Sequence, residues 1–164
     1  MDPRLLYVSS QRLWATRDGG QTWTALSGDL TRHDPKTQGP SGGPITGDMN
    51  GPEVYGVIFA VGPGKTSTNV IWTGSDDGLV HLTRDGGKTW ANVTPKEMPE
   101  FGRVSQIDAS RFNPGAAYLS ARRPLLGDLR EETGLAPDLH AVYALSGYGE
   151  KNTAERVGRA PAGY

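Results

Sequence analysis

At 164 residues, with 23 glycines and 12 prolines, the chain has room for one ordinary domain built from short strands and turns rather than long helices. Its formal net charge of -1, the lack of cysteine and the lack of any Lys/Arg cluster interleaved with aromatics exclude a nucleic-acid footprint, a disulfide framework, a thiolate zinc site and a cysteine nucleophile. No segment approaches the ~18 consecutive apolar residues of a membrane span, and Met1-Asp2-Pro3-Arg4 does not open a secretory signal, so the sequence leaves the compartment unknown.

Residues 4–9, with Leu5, Leu6, Tyr7 and Val8, read as a strand, and 12–16, with Leu13, Trp14 and Ala15, as its hairpin partner. Thr16-Arg17-Asp18-Gly19-Gly20-Gln21-Thr22-Trp23 then turns the chain into a short polar strand at 22–26. Residues 28–52 carry repeated Gly and Pro without apolar periodicity and read as a long loop. The apolar run 53–61 reads as an innermost strand covered on both faces, followed by a turn at 62–68. A strand at 69–74, the turn Ser75-Asp76-Asp77-Gly78 and a strand at 79–83 come next. Thr83-Arg84-Asp85-Gly86-Gly87-Lys88-Thr89-Trp90 repeats the earlier octapeptide, differing only in Lys88 for Gln21, and leads into a strand at 89–93. Past a linker, 103–110 and 116–121 read as two more strands around Asn113-Pro114-Gly115. Beyond residue 128 no third octapeptide follows, and Leu135, Leu139, Val142 and Tyr143 give only a weak helical period.

In each octapeptide the Asp is placed to accept hydrogen bonds from the backbone that follows it, a glycine to take the positive φ of the turn, and the Trp to bury its ring against a neighbouring layer. The pair resembles the Asp-box, or BNR, repeat, whose pattern is Ser/Thr-x-Asp-x-Gly-x-Thr-Trp. In this sequence that pattern falls on Thr16, Asp18, Gly20, Thr22 and Trp23, and again on Thr83, Asp85, Gly87, Thr89 and Trp90. The family includes sialidases, xyloglucan-active glycoside hydrolases, sortilin-type receptors and photosystem assembly factors. The resemblance implies a β-propeller, a structural role for the boxes, and export to the periplasm or cell exterior. Stretches 28–35 and 39–46 further resemble bacterial sortilin-like or glycosyl-hydrolase-like proteins, and the likeness covers about residues 3–128.

The expected fold is all-β: an incomplete propeller of four-stranded antiparallel blades with an irregular or weakly helical C-terminal tail. Its parts are a partial first blade (1–27), the loop (28–52), a complete blade (53–94), a partial third blade (95–128) and a divergent tail (129–164). The octapeptides are 67 residues apart, and removing the 25-residue loop leaves 42, the length of one blade. Open edges of such an array call for the remaining blades or a second chain.

Strand alternation puts both octapeptides at one end of the blades and the long loop, the 75–78 turn and the 94–102 linker at the other, where ligands of propellers generally bind. Asp76, Asp77, Asp34 and Asp48 are the ligand-face candidates, although Asp-Asp-Gly is also a good hairpin turn in its own right. A glycosidase needs two carboxylates facing each other across a cleft. Asp29, Asp34, Asp48, Asp76, Asp77, Glu97 and Glu100 offer acids, but no spacing selects a pair and no catalytic motif of the family is present. Gly62-Pro63-Gly64-Lys65-Thr66 fails as a phosphate loop, having Phe59 where a glycine is required. His33, His81 and His140 lack ligand spacing, so neither a metal nor a cofactor is expected. The reading is a binding or scaffold module for carbohydrate or polypeptide. Its alternatives are a fragment of a glycoside hydrolase and a truncated reading frame without independent function.

Overall fold

The computed structural model describes residues 2–39 and 55–122, together with the backbone of two strands at 141–146 and 153–159. They form three antiparallel meanders, each with its strands in chain order. The first contains β1 (Leu6–Ser9), β2 (Leu13–Thr16) and β3 (Thr24–Ala25); the second contains β4 (Ile58–Pro63), β5 (Ile71–Ser75), β6 (Val80–Thr83) and β7 (Ala91–Asn92). The third contains β8 (Arg103–Ala109), β9 (Ala116–Arg122), β10 (Ala141–Ser146) and β11 (Thr153–Arg159). These are blade-like sheets stacked face to face without closing a ring, so the chain is all-β and has the architecture of an incomplete propeller. Among the described residues no helix is long and apolar enough to cross a membrane.

Two interfaces hold the stack. Between the first and second sheets lie Leu13, Leu30, Ile58 and Ile71, with Tyr7, Leu26, Val61 and Trp90 packed against them. Between the second and third, Trp72, Val80 and Leu82 meet Val104, Ile107, Ala117, Leu119 and Ala121. The strands there alternate, sending every second residue into the interface. At Gly74 the two sheets approach so closely that a Cβ would run into Val104 Cγ1.

Two expectations are corrected. The apolar run at 53–61 gives a strand that begins later and ends later: β4 runs from Ile58 through Pro63, while Glu53 and Val54 lie outside the described residues. Gly62 and Pro63, expected in the turn, belong to the strand. A Cβ on Gly62 would lie 2.7 Å from Ile107 Cγ2, so this glycine serves close sheet packing. Pro63 is tolerated because β4 is an edge strand. The tail expected to be irregular or weakly helical supplies β10 and β11, which extend the third sheet to four strands. Ala141 through Ser146 pair with Ala121 through Ala116, so the unpaired edge of β9 decides the backbone of Val142 and Tyr143 against a weak helical period. Leu135 and Leu139 lie outside the described residues.

Candidate functional site

The two octapeptides fold alike, donor for donor. Thr16 Oγ1 donates to Asp18 Oδ1 at 2.7 Å and accepts from Gly20 N at 3.0 Å, while Thr83 Oγ1 donates to Asp85 Oδ1 at 2.8 Å and accepts from Gly87 N at 2.9 Å. Thr22 gives its N–H to Asp18 Oδ1 at 3.0 Å and its hydroxyl to Oδ2 at 2.6 Å; Thr89 does the same to Asp85 at 2.9 and 2.6 Å. Gly20 and Gly87 hold φ of 94° and 98°, a region that favours glycine. The Thr22 hydroxyl, then its N–H and the Thr16 hydroxyl, hold Asp18 well below the usual carboxylate range. Thr89 does the same for Asp85 through its hydroxyl and N–H, assisted by Thr83. Both carboxylates are therefore charged and internally engaged at neutral pH.

The tryptophans differ. Trp90 donates its indole N–H to the carbonyl of Leu26 at 2.9 Å, tying the second sheet to the first. Trp23 donates to Gly20 in its own turn at 3.0 Å and remains 40% exposed.

At the opposite end, Asp76 and Asp77 are buried, 9% and 2% exposed, and both are engaged by backbone. Asp76 Oδ1 accepts from Gly56 N at 3.1 Å and Val57 N at 2.8 Å. Asp77 Oδ2 accepts from Arg32 N at 2.7 Å, and Ser75 Oγ donates to its other oxygen. Burial raises the Asp76 carboxyl, the Val57 N–H opposes that rise, and the Asp77 charge adds to it. Arg32 Nε donates to the Asp77 carbonyl at 2.8 Å and the guanidinium lies 5.2 Å from the Phe101 ring centroid, clamping the long loop onto the turn. Burial first, then the charges of Asp76 and Asp77, push the nearby Tyr55 hydroxyl up to about 12. Asp34 caps the 3-10 turn Pro35–Thr37 by accepting from Lys36 N at 2.9 Å. Asp48 lies outside the described residues. Of the four loop-face candidates the structure therefore brings together Asp76 and Asp77, inside the frame of the loop. Arg32 and Tyr55 gave no sequence signal, since their partners are main-chain groups 45 and 21 residues away.

An open cleft of about 580 Å³ lies at the other end, between the first and second sheets. Leu5, Tyr7, Leu26 and Ile71 supply apolar surface; Asn69, Arg17 and Lys88 supply polar and basic groups; Asp18 and Asp85 flank it. Burial pushes the Tyr7 hydroxyl up, with Arg17 opposing. Sequence reasoning missed this cleft because its walls come from two sheets joined across the long loop. The alternation that turns Tyr7 toward the second sheet was the one available signal.

No family model matches the chain, and no curated protein matches it. Solved structures do match, among them one described as YCF48 bound to D1 peptide. It is 19% identical with a TM-score of 0.49, and the match covers 97% of this chain and 39% of that one, so the chain spans about two fifths of its length.

Proposed function

We propose that this chain is part of an Asp-box propeller and works as a polypeptide-binding module, its ligand seated in the cleft between the first two sheets. The observation that carries this reading is the chemistry of the cleft's own carboxylates. Asp18 and Asp85 are the acids that flank it, and threonine hydroxyls and N–H groups occupy them and depress their titration. Glycoside hydrolysis needs a carboxyl that stays protonated near neutrality to act as general acid. Neither group meets that need, and the cleft is left with recognition. Its size falls within the usual range of ligand sites, roughly 300 to 1,000 Å³. Tyr7, Leu5 and Leu26 offer surface to apolar side chains, while Asn69 can pair with main-chain amides.

Peptide and glycan arrays probed with the purified chain test the proposal. Peptide binding is expected to fall at least about tenfold in Tyr7→Ala, as for an aromatic anchor, and to persist in Arg111→Ala on the distant β8–β9 turn. Retention on glycans alone, or peptide binding that Tyr7→Ala leaves untouched, overturns it.

A further inference from the structure

The strand registers make the first two sheets superimposable position by position. Leu6 pairs with Thr16 as Ile71 pairs with Thr83, and these threonines open the two octapeptides. Leu6 therefore corresponds to Ile71, Tyr7 to Trp72, and Val8 to Thr73. One alternating set, Tyr7 in the first sheet and Trp72 in the second, faces the sheet that follows. The other set faces the sheet before. In the second sheet that set is covered by the first, and Ile71 and Thr73 are each 1% exposed; in the first sheet Leu6 and Val8 are 49% and 51% exposed. Trp23 repeats the contrast: its counterpart Trp90 reaches a carbonyl of the preceding sheet, whereas Trp23 folds back on its own turn. The far end of the stack is open in the complementary sense. Ala117, Leu119 and Ala121 face the second sheet, and Tyr118 between them points away, 55% exposed, on the same following face as Trp72.

We propose that these two open faces belong together, and that a second copy of this chain covers them, closing a ring of two copies related by a two-fold axis. The interface already seen twice within the chain supplies the rule: the following face of one sheet packs on the preceding face of the next. Applied once more, it places the third sheet of one copy on the first sheet of the other, with Tyr118 against Leu6 and Val8. The count selects two copies. Each supplies three sheets, propeller rings close with about 4 to 8 blades, and of the multiples of three only six falls in that range. The two junctions are identical under the two-fold, so the assembly closes and does not grow into a filament. At each junction the Trp23 indole leaves Gly20 for a main-chain carbonyl at the end of β11 of the other copy, as Trp90 meets Leu26.

Sedimentation velocity of the full chain over a wide concentration range tests this, with indole N–H resonances followed in parallel. The expected result is a reversible dimer, with the Trp23 indole shifting as it forms. Leu6→Lys with Val8→Lys, and separately Tyr118→Lys, are each expected to weaken dimerisation at least about tenfold. These side chains are about half exposed, and an unchanged thermal transition of the monomer shows that folding is intact. Mixing the two variants restores association, because one junction then has both native faces. A monomer at every concentration, larger open-ended oligomers, or a dimer indifferent to both sets of substitutions overturns the proposal.

Discussion

At the residue scale the two repeated aspartates are hubs of local hydrogen bonding, each accepting from two threonine hydroxyls and a backbone N–H. Both titrate below the ordinary value of 3.8, so their stabilising contribution is complete above that pH and is lost as the pH falls below it. Asp85→Ala is expected to lower Tm at neutral pH and to make the loss of stability on acidification shallower than in the parent chain. Thermal melts across a pH series check both, and a variant with the parent's acid limb would show the carboxylate to be inert. The tryptophans give a paired prediction. Trp90→Phe removes the hydrogen bond to Leu26 and is expected to cost about 1 kcal/mol. Trp23→Phe, measured on dilute monomer, removes one within an exposed turn and is expected to cost roughly a third of that or less. Urea unfolding of the two variants side by side distinguishes them.

At the element scale, sheet spacing is set by glycine. Gly74→Val forces a side chain into Val104 and is expected to destabilise by about 1 to 3 kcal/mol. Gly28→Ala, which meets nothing within 4 Å, is expected to stay within about 0.5 kcal/mol of the parent; equal effects would contradict the packing account. Elements of this kind were legible in the sequence where the signal was local. The octapeptide turns follow from Asp, Gly and Thr at fixed offsets, and the strands flanking them follow from period-two alternation. Where a distant partner decides, local reading fell short. Gly62 reads as a turn residue until Ile107 is seen against it, and Val142 reads as weakly helical until the edge of β9 claims its backbone. Asp76 and Asp77 sit at the rim position that alternation assigned them, but the loop that engages Asp77 arrives from Arg32, 45 residues earlier.

At the scale of the whole molecule, three sheets repeat one packing rule and leave one preceding face and one following face uncovered. The cleft sits inside the first repetition of that rule, where Tyr7 and Leu26 of one sheet approach Asn69 and Asp85 of the next. Its position explains why the binding surface was harder to read than the fold: the repeat is encoded locally, whereas the cleft exists only once two sheets are stacked. The most direct test of the account is an amide chemical-shift map of the full chain titrated with the tightest peptide from the array. The account predicts shifts concentrated at Tyr7, Asn69, Gly86 and Lys88, around the cleft. Shifts concentrated instead at Arg32, Asp34 and Phe101 would contradict it and return the ligand to the loop face.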